Sequence, residues 1–218
     1  MHLPHLNYTP PRNNGLDLIY CDESLLAVNK PAGLLAVPGR GADKSDSLAS
    51  RIQAEFPDAL IVHRLDMATS GLLVFARGVE MHRRLSHLFR ERLVTKCYVA
   101  VVAGKVEPST GEINLPLIGD WPNRPKQKVD SIIGKHSLTR YRLLEHDIDM
   151  DISRLELEPV TGRTHQLRVH MATIGHPILG DALYGVQGVE RLMLHACSLN
   201  FTHPLSGKIL GLSCDPPF

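Results

Sequence analysis

Apolar residues occur along the chain in short continuous runs, separated by polar loops rich in proline and glycine. Such runs are typical of buried strands. They occur at 25–28, 60–62, 72–76 and 96–103, and the last of these is also rich in β-branched residues. We therefore predict a strand in each of these segments. Residues 16–20 precede the first run by a short turn, so the two segments form a predicted hairpin.

Other segments alternate charged and apolar residues, which is typical of strands with one exposed face. Residues 137–145 and 152–158 follow this pattern, and we predict that they pair as antiparallel strands. Towards the end of the chain, 192–202 is a predicted strand that pairs with 208–212 across a turn containing proline and glycine.

Three segments carry apolar residues at helical spacing, with capping residues near their ends. They are 45–56 with Ser45 or Asp46 as N-cap, 79–93, and 161–171 with Thr161 or Thr164 as N-cap and Gly175 beyond the C-terminus. Arg168 in the third helix lies at the edge of the predicted buried side. It therefore needs an acidic partner if the fold covers it.

The polar segment 63–71, with the sequence HRLDMATSG, connects the predicted strands at 60–62 and 72–76. A loop held by rigid strands on both sides is a common way to position a reactive side chain. Asp66 is therefore a candidate catalytic residue. The alternative is that Asp66 and Arg64 only form a turn and a surface ion pair, and composition by itself favours that alternative.

The composition is typical of a globular protein and gives no sign of a secreted, disulfide-rich or membrane protein. The chain has 218 residues, 43% hydrophobic and 22% charged, which is ordinary for a globular protein with a sizeable core. A formal net charge of +1 gives no indication of nucleic-acid binding, so any basic surface must come from local clustering. The four cysteines form no C-x-x-C pair, and we find neither a signal pattern nor an apolar run of membrane-spanning length. We expect a cytoplasmic protein with reduced thiols and no membrane partner.

Basic and aromatic residues do cluster in the loop 120–128. The basic and aromatic residues of this loop are Trp121, Arg124, Lys126 and Lys128. A rigid, cationic and aromatic loop is suited to nucleic acid, but an ordinary loop stiffened by its two prolines is an equal alternative. Arg40, in a separate glycine-rich loop, is a further candidate for contact with an anionic partner.

Other positions leave a structural and a functional interpretation open. Tyr98 is either a core residue of its strand or a flat surface on which a base can stack. The arginine-rich face of the helix at 79–93 is either solvated or a surface for phosphate contacts. His165 and His170 lack the i, i+4 spacing of helical metal ligands and no H-E-x-x-H motif occurs, so we predict no metal site.

Five ordered blocks, which span most of the chain, resemble the motifs of the RluA family of pseudouridine synthases. They are NKPAG at 29–33, HRLDMATSG at 63–71, KCYVA at 96–100, GRTHQLRVH at 162–170, and HPILGD at 176–181 followed by Tyr184 and Gly185. Met67, Ala68 and the loop 120–128 resemble the dual-specificity branch of the family. Other branches carry an N-terminal S4-type RNA-binding domain, for which this chain has no room.

The resemblance implies an α+β fold with a mixed, mainly antiparallel sheet, flanked by helices and loops, and with the catalytic cleft across the sheet. It implies no metal and no cofactor. Residues 1–15 are rich in proline and end in Asn-Asn-Gly, so we predict a flexible arm there and a catalytic domain over 16–218, with no S4 domain. We expect the protein to act as a monomer.

By position, the resemblance implies that Asp66 is the catalytic carboxylate, Arg168 the cation that pairs with it, and Tyr98 the aromatic residue against the target base. Arg64 would fill the gap that the target base leaves in the RNA stack. The further residues expected to contact substrate are His63, Arg40, Trp121, Arg124, Lys126, Lys128, Arg163 and Leu194.

Pseudouridine formation breaks the N-glycosidic bond of uridine, rotates the uracil and rejoins it to the sugar through C5. A carboxylate can serve as nucleophile or as base at the ribose, and the sequence leaves both steps open. An arginine partner keeps that carboxylate ionised in a dry pocket. A flat tyrosine holds the detached base without fixing its edge, and an inserted arginine offsets the cost of unstacking.

The substrates implied by the resemblance are two RNAs, a uridine in the tRNA anticodon stem-loop and one in a hairpin of 23S rRNA. Three alternatives stay open. They are a synthase restricted to one of these RNAs, an RNA-binding protein without catalysis, and a carboxylate-dependent hydrolase such as a nucleosidase. The joint presence of Asp66, Tyr98 and Arg168 argues against lost catalysis, and release of free uracil would favour the hydrolase.

Overall fold

The computed structural model describes residues 8–185 and 188–218. Within these ranges the chain forms a ten-stranded sheet, a two-stranded sheet and three α-helices. The strands are β1 (Leu18–Cys21), β2 (Leu25–Lys30), β3 (Ala59–Ile61), β4 (Ser70–Arg77), β5 (Thr95–Ala103), β6 (Thr110–Asn114), β7 (Leu117–Gly119), β8 (Gln127–Val129), β9 (Leu138–Asp147), β10 (Ile152–Pro159), β11 (Leu194–Thr202) and β12 (Ile209–Ser213). The helices are α1 (Leu48–Glu55), α2 (Val79–Arg90) and α3 (Gln166–Thr173). All the predicted strands are present, with each end within two residues of its prediction.

The strands of the large sheet follow the order β1-β2-β4-β11-β5-β10-β9-β6, while β3 also pairs with β4 and β12 with β11. Strands β4 and β11 are parallel. The other strand pairs in the described ranges are antiparallel. This arrangement confirms the expected α+β fold with a mixed, mainly antiparallel sheet.

The parallel contact between β4 and β11 brings two backbones close together at Gly71. This residue lies opposite Ala196 and has a φ of +114°. A β-carbon at Gly71 would overlap the backbone of Ala196, so both the space and the backbone conformation require glycine. The end of the segment 63–71 is therefore held firmly against the centre of the sheet.

Strand β4 is buried on both faces, as its continuous apolar sequence predicts. Phe75 belongs to a core cluster that includes Ile52 of α1, whereas Val74, facing the other way, belongs to a cluster with Leu85 of α2. A third cluster joins β5 and β10 to Leu167 of α3. The three helices are thus fixed to the sheet by apolar packing.

The bounds of α1 and α2 differ from their predictions. Helix α1 begins after Ser47, where Ser47 and Ser50 form a reciprocal capping box, so neither Ser45 nor Asp46 is its N-cap. Helix α2 ends at Arg90 and not at residue 93, because Arg92 takes a left-handed φ of +60° that ends the helix.

Helix α3 also begins later than predicted. Its N-cap is His165, with a φ of +54° and no side-chain cap, so Thr161 and Thr164 are wrong as N-caps. The hydroxyl of Thr161 is used elsewhere, since it accepts the backbone N–H of Leu138 and donates to the Gln166 side chain. Beyond the C-terminus, Gly175 has a φ of +89°, as its predicted position requires.

The predicted N-terminal arm falls partly outside the described residues, which begin at Tyr8. Residues 8–15 contain no helix or strand. The hydroxyl of Tyr8 donates to the carbonyl of Asp46 and accepts the N–H of Leu35. Among the described helices, none has the length and apolar character needed to cross a membrane.

Candidate active site

A cleft of about 910 Å³ lies across the sheet, between the loop that precedes β4, strand β5 and the start of α3. Asp66, Tyr98 and Arg168 all line this cleft, although they are far apart in sequence. The other predicted substrate contacts that line it are His63, Arg64, Arg163 and Leu194. The fold therefore brings together the three residues for which the sequence predicted catalytic roles.

Arg168 connects two carboxylates. Its Nη1 donates to Oδ2 of Asp66 at 3.1 Å, while Nε and Nη2 donate to the two oxygens of Asp181 at 2.8 and 2.7 Å. The Arg168 and Asp181 side chains are only 6% and 1% exposed, whereas Asp66 is 26% exposed. The bidentate pair with Asp181 fixes the plane of the guanidinium and leaves one nitrogen directed at Asp66.

Arg168 and Asp181 keep one another ionised. Burial opposes the charge of Arg168, but the hydrogen bonds and charges of Asp181 and Asp66 outweigh it and raise the pKa of the guanidinium. Burial likewise opposes the charge of Asp181, but Arg168 and the N–H groups of Leu183 and Tyr184 lower the pKa of that carboxyl. Arg168 is therefore a permanent cation beside Asp66.

A buried lysine anchors the loop that carries Asp66. Lys30, at the end of β2, is fully buried, and its Nζ donates to the carbonyls of Pro31, Leu34 and Met67. Burial lowers the pKa of Lys30 to about 7, although the charge of Asp66 acts in the opposite direction. Lys30 thus binds three carbonyls at once. Through the carbonyl of Met67, it holds the residue next to Asp66 against the end of β2.

Tyr98 lies in β5 with its ring half-buried between two core clusters, and it also lines the cleft. Burial and the nearby charge of Asp66 raise the pKa of its hydroxyl. Its phenol is therefore neutral at physiological pH. The core and stacking interpretations of Tyr98 are compatible, because the core fixes the ring and the cleft reaches it.

The lining of the cleft is strongly basic. Its arginine and lysine residues are Arg64, Arg90, Arg92, Lys96, Arg163 and Arg168. Among the described residues that line it, Asp66 is the only carboxylate. The near-neutral net charge of the chain therefore conceals a local excess of positive charge, which is suited to a polyanion such as an RNA backbone.

Comparison with known proteins agrees with this arrangement. The family model described as RNA pseudouridylate synthase matches residues 24–173, a span that includes Asp66, Tyr98 and Arg168. The chain belongs to this family. It is thus an RNA pseudouridine synthase, an isomerase, as the resemblance predicted.

Relatives match this synthase over nearly its whole length. Proteins named dual-specificity RNA pseudouridine synthase RluA are 49% identical to it in Vibrio cholerae and 48% identical in Escherichia coli K12. These matches cover 95% and 97% of this chain, and 86% and 98% of the relatives. The solved structure of human RNA pseudouridylate synthase domain containing 1 is 31% identical, with a TM-score of 0.80, and the match covers 96% of this chain and 87% of the human chain.

His63 stabilises the start of the segment 63–71, the loop of the synthase that carries Asp66. Its Nε2 accepts the backbone N–H of Val74, and its ring stacks on Phe89 with centroids 4.3 Å apart. Burial, with a smaller effect from Lys96, lowers the pKa of His63 to about 3, so the ring is neutral. The predicted contact of His63 with substrate stays a prediction, although the residue does line the cleft.

Five of the predicted substrate contacts of the synthase do not line the cleft. They are Arg40, Trp121, Arg124, Lys126 and Lys128. Pro125 does line it, so the loop 120–128 lies at the rim. Trp121 is 68% exposed, with the guanidinium of Arg124 stacked 3.1 Å from its ring centre. A role of these residues in RNA binding stays a prediction.

The arginine-rich face predicted for residues 79–93 has two different parts. Arg83 and Arg84 both pair with Glu80 on the exposed surface, whereas Arg90 and Arg92 line the cleft. Sequence reasoning did not separate these groups, because which part of a helix meets a cleft depends on packing. It also did not assign roles to Lys96, Asp181, His165 or Lys30, although the resemblance blocks contain all four.

Arg92 provides a test of the basic cleft. Its φ of +60° lies in the left-handed region, where glycine is favoured. A residue with a side chain destabilises the protein there by about 1 kcal/mol. We expect Arg92→Gly to raise the free energy of unfolding by up to about 1 kcal/mol. We also expect it to weaken RNA binding and to reduce the salt dependence of binding by about one phosphate contact. Urea unfolding and filter binding at several salt concentrations measure these effects.

A matched control is Asp151→Gly, at a left-handed position with a φ of +48° in the turn between β9 and β10. This change should alter stability in the same direction without changing RNA affinity. Equal RNA affinity of Arg92→Gly and the unmodified synthase at every salt concentration would show that Arg92 does not contact the RNA backbone.

Proposed function

We propose that this synthase isomerises uridine to pseudouridine in two RNAs, the tRNA anticodon stem-loop and a hairpin of 23S rRNA, with Asp66 as the catalytic carboxylate. The observation that carries this role is the contact between Asp66 and the buried Arg168 in an otherwise cationic cleft. Relatives about half identical in sequence, named dual-specificity enzymes, support the use of two RNAs. Free thiols at all four cysteines fit our inference of a cytoplasmic enzyme, which we expect to act as a monomer.

The target uridine must leave its stack to reach Asp66, and the cleft is suited to this event. Arg64 is exposed in the same loop as Asp66, two residues before it, so its side chain can enter the RNA and replace the missing base. The cations of the cleft bind the phosphates on either side. Leu194 and Tyr98 supply an apolar surface and a flat ring against which the uracil lies.

Asp66 then acts at the ribose. The contacts that the described residues make with its carboxylate, from Arg168 and from His165, are both at Oδ2. Oδ1 is therefore the oxygen available to attack C1′ or to remove the C2′ proton. In either case the bond from C1′ to N1 breaks, and its electron pair leaves with the uracil.

The detached uracil rotates against Tyr98 until C5 faces the sugar. A ring surface without directional bonds to the base edge permits this rotation. C5 then bonds to C1′ as the ester bond from C1′ to Oδ1 breaks or, in the other route, as Asp66 returns its proton to C2′. The extra proton on C5 is lost, and N1 gains a proton. The net reaction is an isomerisation in which no atom is gained or lost, and neither a cofactor nor a metal enters these steps.

The test is incubation of the purified synthase with unmodified transcripts of a tRNA anticodon stem-loop and a 23S rRNA hairpin. Chemical labelling detects pseudouridine and chromatography detects free uracil. We expect pseudouridine in both RNAs and no loss of activity in EDTA. Modification of one RNA alone would indicate the single-substrate alternative, free uracil would indicate a hydrolase, and binding without either product would indicate a non-catalytic RNA-binding protein.

A further inference from the structure

His165 lies beside Asp66 in a conformation that few residues adopt. It is the N-cap of α3 and has a left-handed φ of +54°. Its side chain is 10% exposed, lines the cleft, and places Nε2 3.8 Å from Oδ2 of Asp66. Left-handed backbone at a residue other than glycine costs about 1–3 kcal/mol and is concentrated at functional sites.

Tyr184 contacts one of the two ring nitrogens of His165, and this contact bears on which nitrogen carries the proton. The tyrosine oxygen accepts the backbone N–H of Gln127 at 2.6 Å and lies 2.7 Å from Nδ1 of His165. A backbone N–H can only donate, so the hydroxyl proton is free to be given elsewhere. Because Gln127 already donates to this oxygen, the arrangement favours donation from the Tyr184 hydroxyl to Nδ1.

A neutral imidazole that accepts at Nδ1 carries its proton on Nε2, the nitrogen that faces Asp66. The charged and titratable groups that face His165 are Asp66 of the catalytic loop, Arg168 of α3, and Asp181 and Tyr184 after α3. Burial and Arg168 lower the pKa of His165 more than the two carboxylates raise it. The ring is therefore neutral near pH 7.

We propose that His165 is a positioning residue of the synthase, whose Nε2–H, fixed by Tyr184, holds Oδ2 of Asp66 together with Arg168. Two donors on Oδ2 leave Oδ1 as the reacting oxygen. The distance of 3.8 Å exceeds a hydrogen bond, and such contacts shorten when substrate fills a site. This inference rests on the proposed role of Asp66 and adds a specific arrangement of protons to it.

Tyr184→Phe tests this arrangement because it removes the hydroxyl and keeps the ring. Without a donor at Nδ1, the neutral imidazole can place its proton there and turn an unprotonated Nε2 towards the carboxylate. We expect the single-turnover rate constant at pH 8 to fall about tenfold, with unchanged RNA affinity. The deficit should shrink only as the pH falls below the lowered pKa of His165, because the imidazolium then carries protons on both nitrogens and restores the Nε2–H.

His165→Gln and His165→Ala provide a second test. The glutamine amide can donate towards Oδ2, so we expect its rate constant to exceed that of the alanine variant at every pH. The control is Tyr20→Phe, which removes a hydroxyl bonded to Asp22 at the β1–β2 turn and should leave the rate unchanged. A Tyr184→Phe deficit that is the same at all pH values, no deficit at all, or equal rates for His165→Gln and His165→Ala would overturn the proposal.

The outcome for the proposed function is measured separately. If Asp66→Ala retains activity, the role of Asp66 is wrong, whatever the histidine variants show. If Asp66→Ala is inactive while the Tyr184 and His165 variants react like the unmodified synthase, only the positioning role fails. Thermal unfolding of each variant confirms that the comparison is made between folded proteins.

Discussion

Asp66→Asn should abolish pseudouridine formation, with a fall of at least about 10⁴-fold in the single-turnover rate constant. Asparagine has nearly the same shape and can still accept the hydrogen bond from Arg168, so the change removes the charge and the nucleophilic or basic oxygen. Neither attack on C1′ nor removal of the C2′ proton is open to an amide. The measurement is pseudouridine yield against time with enzyme in excess over RNA.

The variant should fold and bind RNA normally. Asp66 is partly exposed, and Arg168 keeps its bidentate partner Asp181 when the charge of Asp66 is lost. A matched control is Asp147→Asn at the end of β9, where the side chain only accepts backbone N–H groups. The control should retain full activity. A residual rate for Asp66→Asn within a hundredfold of the unmodified synthase would contradict the role of Asp66.

Arg168→Met should cost both activity and stability. Methionine preserves the length of the side chain but leaves Asp181, whose side chain is 1% exposed, as a buried charge without its cation. Removing one partner of a buried ion pair typically destabilises a protein by about 3–5 kcal/mol. We expect a loss of that size in the free energy of unfolding from urea denaturation, together with loss of pseudouridine formation.

Two variants separate the two effects. Arg140→Met breaks an exposed pair with Glu112 on the outer strands and should leave stability close to that of the unmodified protein. In the double variant Arg168→Met with Asp181→Asn the orphaned charge is also removed, so part of the lost stability should return. Activity should not return, because Asp66 still lacks its donor. A stable and active Arg168→Met would show that the ion pair has no role in catalysis.

The local properties of the sequence were sufficient to predict much of this protein. The continuous apolar sequence of β4 specified a strand buried on both faces, and the polar segment beside it marked Asp66 as a candidate. The helical spacing placed Arg168 at the edge of the buried side, where it would need an acidic partner if covered, and the structure gives it two such partners. Strand burial and the position of a residue on a helix depend only on neighbours within one strand or a few helical turns. The spacing of apolar residues therefore predicts both directly.

Residue patterns along the chain did not decide which groups meet: the family resemblance implied the pair of Arg168 with Asp66, and only the tertiary structure gave the pair with Asp181. The partners of Arg168 are Asp181, 13 residues later, and Asp66, 102 residues earlier. No local pattern encodes such a contact, because it depends on how α3 packs against the sheet. The left-handed His165 was hidden for a related reason, since local signals favoured Thr161 and Thr164 as caps, whereas Thr161 bonds to β9 and Gln166. Sequence thus predicted the strands, the helices and a candidate carboxylate, while long-range packing determined the ion pairs, the basic cleft and the contacts of His165 with Asp66 and Tyr184.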